Sequence, residues 1–215
     1  MQIIREFKMC RKEVGIICII GYIVSFFLCT SFGDLVDKQT IFVELGVPLI
    51  ITFICSKYIN LQTDLLKDIL KASAKSYLKV FIIRYFVIIL VCLMIETIFL
   101  IMLNEYFVES VLCNVFVSAC TSIYLSTIGI LFSSMFNTEY IGAIVAALFS
   151  IISLVTKALV EYTIFRFIYP FPILNGMSKH QFIIVEVTHL ICSIIIWIFL
   201  YEKYKDQVFQ KMHMK

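Results

Sequence analysis

The sequence has few charged residues, few glycines and few prolines for its length of 215 residues. Only 15% of the residues are charged, whereas 61% are hydrophobic. A soluble domain does not need so much apolar material to fill its core, so this composition argues against an ordinary water-soluble protein. The longest intervals outside the apolar runs, residues 60 to 79 and 161 to 180, are too short to form an independent core. We therefore expect one membrane domain over residues 1 to 215.

Motifs for nucleotide binding and catalysis are also missing. The seven glycines form no GxxxxGK[ST] loop, so the chain cannot bind a nucleoside triphosphate in the usual way. No GxSxG elbow and no matched set of Ser, His and Asp is present, which argues against an enzyme. We expect no catalytic residue and no cofactor bound by this chain. Any ATP-driven work, with its ATP and Mg²⁺, has to take place on another polypeptide.

Metal-binding and disulfide patterns are equally scarce. The eight cysteines include no CxxC pair, and most fall in apolar runs, where they behave as small hydrophobic side chains. Glu186 and His189 have the Glu-x-x-His spacing of di-iron bundles, but such a site needs a second copy and the chain has only three histidines. We therefore predict no metal site and interpret EVTH as one face of a helix.

Long apolar runs are what the sequence has in abundance. A helix of about 20 apolar residues crosses roughly 30 Å of hydrocarbon, and a membrane-spanning backbone must satisfy its own hydrogen bonds. We expect an all-α polytopic membrane protein with six transmembrane helices. The expected spans are about residues 14 to 32, 41 to 59, 80 to 103, 111 to 133, 140 to 160 and 181 to 201. The second run is interrupted by Glu44 and Pro48, and the fifth reaches Lys157.

The distribution of Lys and Arg predicts the orientation, because these residues tend to remain on the cytoplasmic side. Four precede the first span, six lie around the loop between spans two and three, and four follow the last span. Only Lys38, Lys157, Arg166 and Lys179 would lie outside. We expect a multi-pass protein of the cell membrane with both termini in the cytoplasm. Dropping one span would place the two basic termini on opposite sides.

Two amphipathic segments flank the predicted spans on the cytoplasmic side. Residues 2 to 13 are predicted to form an interfacial helix, with Phe7 on its apolar side and its charges near the anionic leaflet. A simple flank that anchors the first span is an equally good interpretation. The residues of interest here are Arg5, Phe7, Lys8, Arg11 and Lys12.

The second amphipathic segment is TDLLKDILKASAKSYLKV, residues 63 to 80. At 100° per residue its lysines and aspartates share one arc, and its leucines and isoleucine lie opposite, except Leu78, which falls inside the polar arc. Thr63 is placed to cap the helix, and Asp64 suits the positive end of the helix dipole. The polar face is either a solvated face of a membrane-lying helix or a docking surface for a cytoplasmic partner. The residues of the docking hypothesis are Thr63, Asp64, Leu65, Leu66, Lys67, Asp68, Ile69, Lys71 and Lys75.

Three carboxylates interrupt the apolar runs: Glu44, Glu96 and Glu186. An ionised group deep in a bilayer costs at least about 2.5 to 3.5 kcal/mol, so such residues usually face a bundle interior, a cavity or a partner. All three would lie in the outer half of the membrane and are candidates for a substrate route through an outward-facing vestibule. Alternatively, Glu44 and Glu186 reach the outer headgroups, and only Glu96 requires a polar partner.

Two further patterns concern packing. Residues 161 to 176, EYTIFRFIYPFPILNG, are rich in aromatic rings and contain Pro170 and Pro172, which favours a short or re-entrant structure in the outer leaflet over a solvent loop. Gly142 with Ala146, and Ala143 with Ala147, form small-xxx-small pairs in the fifth run, which predicts close helix packing, most simply within the subunit.

The order of these features resembles the membrane subunits of ABC-2-type transporters, and the small size resembles permeases of peptide-antibiotic export or lantibiotic-immunity systems. The resemblance implies that IIREFKMCRKE is the interfacial connecting helix and that Thr63 to Lys75 is the coupling helix for a separate ATPase. It also implies a second permease subunit, identical or homologous, and no nucleic acid partner. A hydrophobic or amphipathic peptide or a lipid-like substrate suits a chain without a large external domain.

Two other functions remain open from the sequence. One is a non-transporting membrane scaffold or immunity protein. The other is the substrate-binding subunit of a vitamin-uptake system, against which the basic loop and the scarcity of glycine argue. A neighbouring reading frame with a GxxxxGK[ST] motif would favour the exporter.

Overall fold

The structure is a computed structural model in which every described element is helical. It describes residues 2–29, 40–59, 74–103, 108–136, 138, 140–155, 169–172 and 179–213. Within these ranges, side chains are described for residues 14–27, 40–59, 81–102, 111–136, 138, 140–155, 169–172 and 181–203. No strand occurs in these parts of the chain, in agreement with the predicted all-α fold.

Six α-helices account for nearly all of the described residues. They are α1 (Gln2–Cys29), α2 (Val47–Tyr58), α3 (Ala74–Leu103), α4 (Val108–Phe136), α5 (Ile141–Val155) and α6 (Lys179–His213). A π-helical turn, Phe42–Gly46, leads directly into α2. Each predicted apolar run therefore corresponds to a helix, although the ends differ.

Three of these helices contain an apolar stretch long enough to cross a membrane. The stretches are Phe81–Met102 in α3, Val111–Phe136 in α4 and Gln181–Lys203 in α6. Shorter apolar stretches occupy Val14–Phe27 in α1 and Ile141–Val155 in α5. The structure thus supports a membrane protein with three helices of spanning length, and the count of six spans stays a prediction.

The ends of several helices differ from the predicted boundaries. The predicted interfacial helix and first span form one helix, α1, with no helix end between residues 13 and 14. Pro48 does not break α2, because it lies in the first turn, where its missing N–H is not needed. The helix α5 is described as far as Val155, and residues 156 to 160 of the predicted fifth span lie outside the described part.

The lateral surface of the bundle is apolar. Exposed isoleucines, leucines and phenylalanines run along α1, α3, α5 and α6, and many of them are more than half exposed. An apolar surface of this extent would promote aggregation in water, but it suits hydrocarbon. We conclude that these helix faces point towards lipid.

The helix α4 lies at the centre of the bundle. It packs against α2, α3, α5 and α6, whereas α1 packs mainly against α3 and α2. The approach of α5 to α4 is especially close, because a Cβ atom at Gly142 would collide with the backbone oxygen of Gly129. Gly142 and Ala146 are both buried, which confirms the predicted packing of this small-residue pair inside the subunit.

Candidate functional site: a carboxylate cluster around α4

The central helix α4 carries an unusual number of buried hydroxyl groups. Several of them are satisfied within the helix, since Thr127 Oγ1 donates to the carbonyl of Ile123 at 2.6 Å and Ser134 Oγ to that of Leu131 at 2.7 Å. Such back-bonding lets Ser and Thr reside in an apolar helix at little cost. The buried hydroxyl residues of α4 are Ser118, Thr121, Ser122, Ser126, Thr127, Ser133 and Ser134.

Glu96 in α3 is held by one of these hydroxyls. Its side chain is fully buried, and Ser118 Oγ donates a hydrogen bond of 3.0 Å to Glu96 Oε2. The second oxygen, Oε1, has no hydrogen-bond partner. The sequence predicts that Glu96 needs a polar partner, and Ser118 is that partner.

One helical turn from Glu96, α3 also contacts α1. The contacts involve two cysteine thiols and the hydroxyl group of Tyr22. The thiols of Cys18 and Cys92 lie 3.0 Å apart, and both residues are free cysteines. Tyr22 OH donates to the carbonyl of Cys92 at 3.3 Å. These contacts fix α1 against the face of α3 that carries Glu96.

Glu186 and His189 form a second buried acidic site, between α6 and α4. His189 Nδ1 lies 3.5 Å from Glu186 Oε2, which is longer than a good N–H···O hydrogen bond. Both carboxylate oxygens and both ring nitrogens lack a hydrogen-bond partner, although the Cys120 thiol lies beside Glu186. The His189 ring stacks on Tyr124, with centroids 4.4 Å apart and planes within 8° of parallel. Each unpaired buried polar atom costs about 1–3 kcal/mol, so the four such atoms here lower the stability of the fold.

Glu44 approaches α4 indirectly, through its neighbour Tyr169. It lies in the π-helical turn before α2, is fully buried, and is close enough to Tyr169 for its charge to act on the phenol. Burial, with a smaller contribution from Glu44, raises the pKa of Tyr169 to about 12. Tyr169 is therefore neutral at physiological pH, and its hydroxyl, which has no partner, can donate.

The segment 169–172 joins Glu44 to α4. Its four residues are buried, and Thr121 Oγ1 donates to the carbonyl of Pro170 at 3.4 Å. Phe171 is fully enclosed and packs edge to face on Tyr169. These four residues of the predicted aromatic outer region thus insert into the bundle and are not exposed to solvent.

All three carboxylates therefore meet one short stretch of α4, residues 118 to 124. Glu96 contacts Ser118, Glu186 lies beside Cys120, and Glu44 approaches through Tyr169 and the carbonyl that accepts from Thr121. We call this group of side chains the carboxylate cluster. It consists of Glu44, Glu96, Glu186, Ser118, Cys120, Thr121, Tyr124, Tyr169 and His189.

The described cations lie at the other end of the helices. Arg84 Nη1 donates to the carbonyl of Tyr58 at 3.4 Å, and Lys203 Nζ donates to that of Ser134 at 3.5 Å. Lys57 lies 5.0 Å from the Tyr58 ring centroid. The three described cations thus lie at one end of the bundle and the three buried glutamates near the other, as expected if the basic end faces the cytoplasm.

The other predicted site residues lie mostly outside the described part of the chain. The docking segment Thr63 to Lys75 is undescribed except at Ala74 and Lys75, where α3 begins. The backbone of Arg5 to Lys12 is helical within α1, but nothing is described of those side chains. The role of Glu44, Glu96 and Glu186 in a substrate route stays a prediction, and the structure holds all three enclosed.

Sequence reasoning did not identify α4 as the polar centre. The signal was present in SACTSIYLST, residues 118 to 127, which places five hydroxyl residues and one phenol in an apolar run. The spacing of Glu186 and His189 indicates only a helix face or, with a second copy, a metal site, and gives no sign that His189 stacks on Tyr124. Among the described residues, no three His, Cys, Asp or Glu side chains gather closely enough to hold a metal ion.

Comparison with known proteins gives no relative: no protein-family model, no curated protein and no solved structure matches this chain.

Proposed function

We propose that this chain is the membrane permease subunit of an ATP-driven exporter of the ABC-2 type. Its substrate would be a hydrophobic or amphipathic peptide or a lipid-like molecule. The observation that carries the proposal is the carboxylate cluster, three fully buried glutamates around a hydroxyl-rich central helix inside a bundle with an apolar surface.

Buried carboxylates in a membrane bundle favour a transport function over a purely structural one. Each ionisable group in the membrane interior costs several kcal/mol, and such residues typically mark substrate or ion pathways. A scaffold would be more stable with apolar residues at Glu44, Glu96 and Glu186. π-Helical turns are frequent at functional sites. The turn Phe42–Gly46 contains Glu44, which supports a functional role for this residue.

The proposal assigns energy supply to a partner. Without a GxxxxGK[ST] loop the chain depends on an ABC ATPase subunit, which would bind ATP and Mg²⁺. The segment Thr63 to Lys75 would dock on that ATPase as the coupling helix. Two permease subunits, each with six spans and cytoplasmic termini, would enclose the route.

Coexpression and copurification with any ABC ATPase whose reading frame neighbours this one tests the proposal. Polar replacement of Leu65 and Ile69, combined with charge reversal of Asp64 and Asp68, should release the ATPase and abolish ATP-dependent transport. Charge reversal of Asp34 and Asp37 is the matched control, because these aspartates fall in the predicted outer loop. Retention of the ATPase and of transport in the first variant would reject the docking assignment.

A further inference from the structure

The Glu186 and His189 pair has buried hydrogen-bonding groups that its surroundings do not satisfy. Both residues are buried, with exposed fractions of 1% and 0%, and their four polar atoms have no hydrogen-bond partner. A carboxylate is an acceptor only, so its two oxygens call for groups that donate. The Cys120 thiol beside Glu186 is a weak donor and does not meet this need.

No described Lys or Arg is available to pair with Glu186. The described side chains include three such cations, Lys57, Arg84 and Lys203, and all three have contacts at the opposite end of the bundle. Lys203 contacts Ser134, which follows Tyr124 by ten residues, about 15 Å along the helix. Within the described part of the chain Glu186 thus has no Lys or Arg partner, so a ligand can supply the positive group.

The surroundings of Glu186 are aromatic. His189 lies flat on Tyr124, and Phe149 of α5 meets Tyr124 edge to face at 6.3 Å. Aromatic rings beside a carboxylate are the combination that recognises ammonium groups, because the ring faces attract cations and the carboxylate accepts their N–H bonds. A neutral His189 can accept one further N–H bond through a ring nitrogen.

We propose that Glu186, His189 and Tyr124 bind the protonated amine of an amphipathic molecule. The inference rests on the proposed function in that the amine belongs to the transported substrate, and it names the chemical class of that substrate. Glu186 accepts N–H bonds and neutralises the charge, His189 accepts a further N–H bond, and Tyr124 provides a ring face. Since the site is enclosed, entry requires α6 or the segment 169–172 to move away from α4.

Binding is tested on the purified full chain in lipid nanodiscs, without an ATPase. The probes are dodecylamine and dodecanol, which share one alkyl chain and differ in the headgroup. Ring NMR signals of the three histidines report binding, with His180 and His213 as internal controls for nonspecific partitioning. We expect dodecylamine to shift the His189 signals selectively and dodecanol to leave them unchanged.

Variants assign the binding to the site. Glu186→Gln should weaken the apparent affinity for dodecylamine by about tenfold or more, because a charged hydrogen bond is lost. Glu186→Asp retains the charge and should keep part of the affinity, which guards against a folding defect in the first variant. Glu202→Gln, at an exposed position of the same helix beside Lys203, should bind as the wild type does.

Equal responses to the amine and the alcohol would overturn the inference, as would unchanged amine affinity in Glu186→Gln. The result is separable from that for the proposed function, because this experiment contains no ATPase. Loss of ATPase docking without loss of amine binding would reject the ABC assignment alone. ATP-dependent transport without amine binding would reject the amine site alone.

Discussion

The bond from Ser118 to Glu96 shows what a single hydroxyl contributes inside the bundle. Ser118 Oγ donates to the fully buried Glu96 carboxyl group at 3.0 Å, and the second oxygen of that group has no hydrogen-bond partner. Hydrogen bonds between membrane helices contribute about 0.6 kcal/mol on average and at most about 1.7 kcal/mol. A bond to an enclosed carboxyl with an unpaired second oxygen belongs near the upper end of that range.

Ser118→Ala should therefore lower the free energy of unfolding by about 1–2 kcal/mol, because it leaves Glu96 without a donor. The measurement is reversible unfolding in mixed micelles. Thr188→Ala is the control, since the Thr188 hydroxyl bonds only to the carbonyl of Ile184 in its own helix. In a Glu96→Leu background the cost of Ser118→Ala should vanish. A cost that persists there would show that Ser118 acts through something other than Glu96.

A second residue-scale prediction concerns the two glycines where α4 and α5 cross. Gly142→Ala should destabilise the protein by about 1–3 kcal/mol, because the added methyl group meets the backbone of Gly129, which cannot rotate away. Gly15→Ala is the matched control within a helix, since no atom lies within 4 Å of the added methyl group. It should be neutral or stabilising by up to about 1 kcal/mol. The measurement is the thermal unfolding temperature of each variant. Equal unfolding temperatures would show that α4 and α5 do not approach each other this closely.

For single residues, the sequence predicts which ones need a particular environment. It predicts less well which side chains they contact. Glu96 stands out because a carboxylate in an apolar run is costly, and the need for a partner follows directly. That the partner is Ser118 does not follow, since α4 offers several hydroxyls and only the helix register selects one. Gly142 is predictable for a related reason, because a small residue in a membrane helix permits close contact.

At the scale of elements, apolar runs locate the helices and leave their ends uncertain. The helix α3 is described from Ala74, whereas the predicted third run begins at about residue 80. The π-helical turn Phe42–Gly46 could not be predicted, because no local residue pattern specifies it and its contacts with α1 and α4 depend on the tertiary fold. Continuity of α1 from Gln2 was also missed, since no residue near position 13 compels a helix to continue or to stop.

The contact between α1 and the π-helical turn is open to a paired test. A Cβ atom at Gly46 would collide with Ser25 Oγ, the end of a small side chain in α1. Gly46→Ala should therefore lower the unfolding temperature, and Ser25→Ala should recover part of the loss by removing the colliding oxygen. Recovery is only partial because the Ser25 Cβ would still lie at 3.3 Å. Additive effects of the two substitutions would indicate that α1 does not pack there.

At the scale of the whole molecule, the arrangement of charge connects sequence to orientation. Lys57, Arg84 and Lys203 lie at one end of the helices, and Glu44, Glu96 and Glu186 meet α4 near the other. The sequence predicts this separation from the clustering of Lys and Arg alone. It does not predict that the three carboxylates converge, because convergence depends on how four helices and the segment 169–172 surround α4.

The number of membrane crossings decides whether the termini share a side. Three helices have spanning length, and if only these cross, the two termini lie on opposite sides of the membrane. If α1, α2 and α5 cross as well, both termini lie in the cytoplasm, as the basic residues at each end favour. We expect reporters fused at residues 1 and 215 to be cytoplasmic, and reporters inserted near residues 35, 105 and 176 to be external. Labelling of single cysteines at the same positions with a membrane-impermeant maleimide provides an independent measurement. Termini on opposite sides of the membrane would exclude six spans. The docking segment would then no longer be expected beside a cytoplasmic ATPase, because that placement depends on the six-span topology.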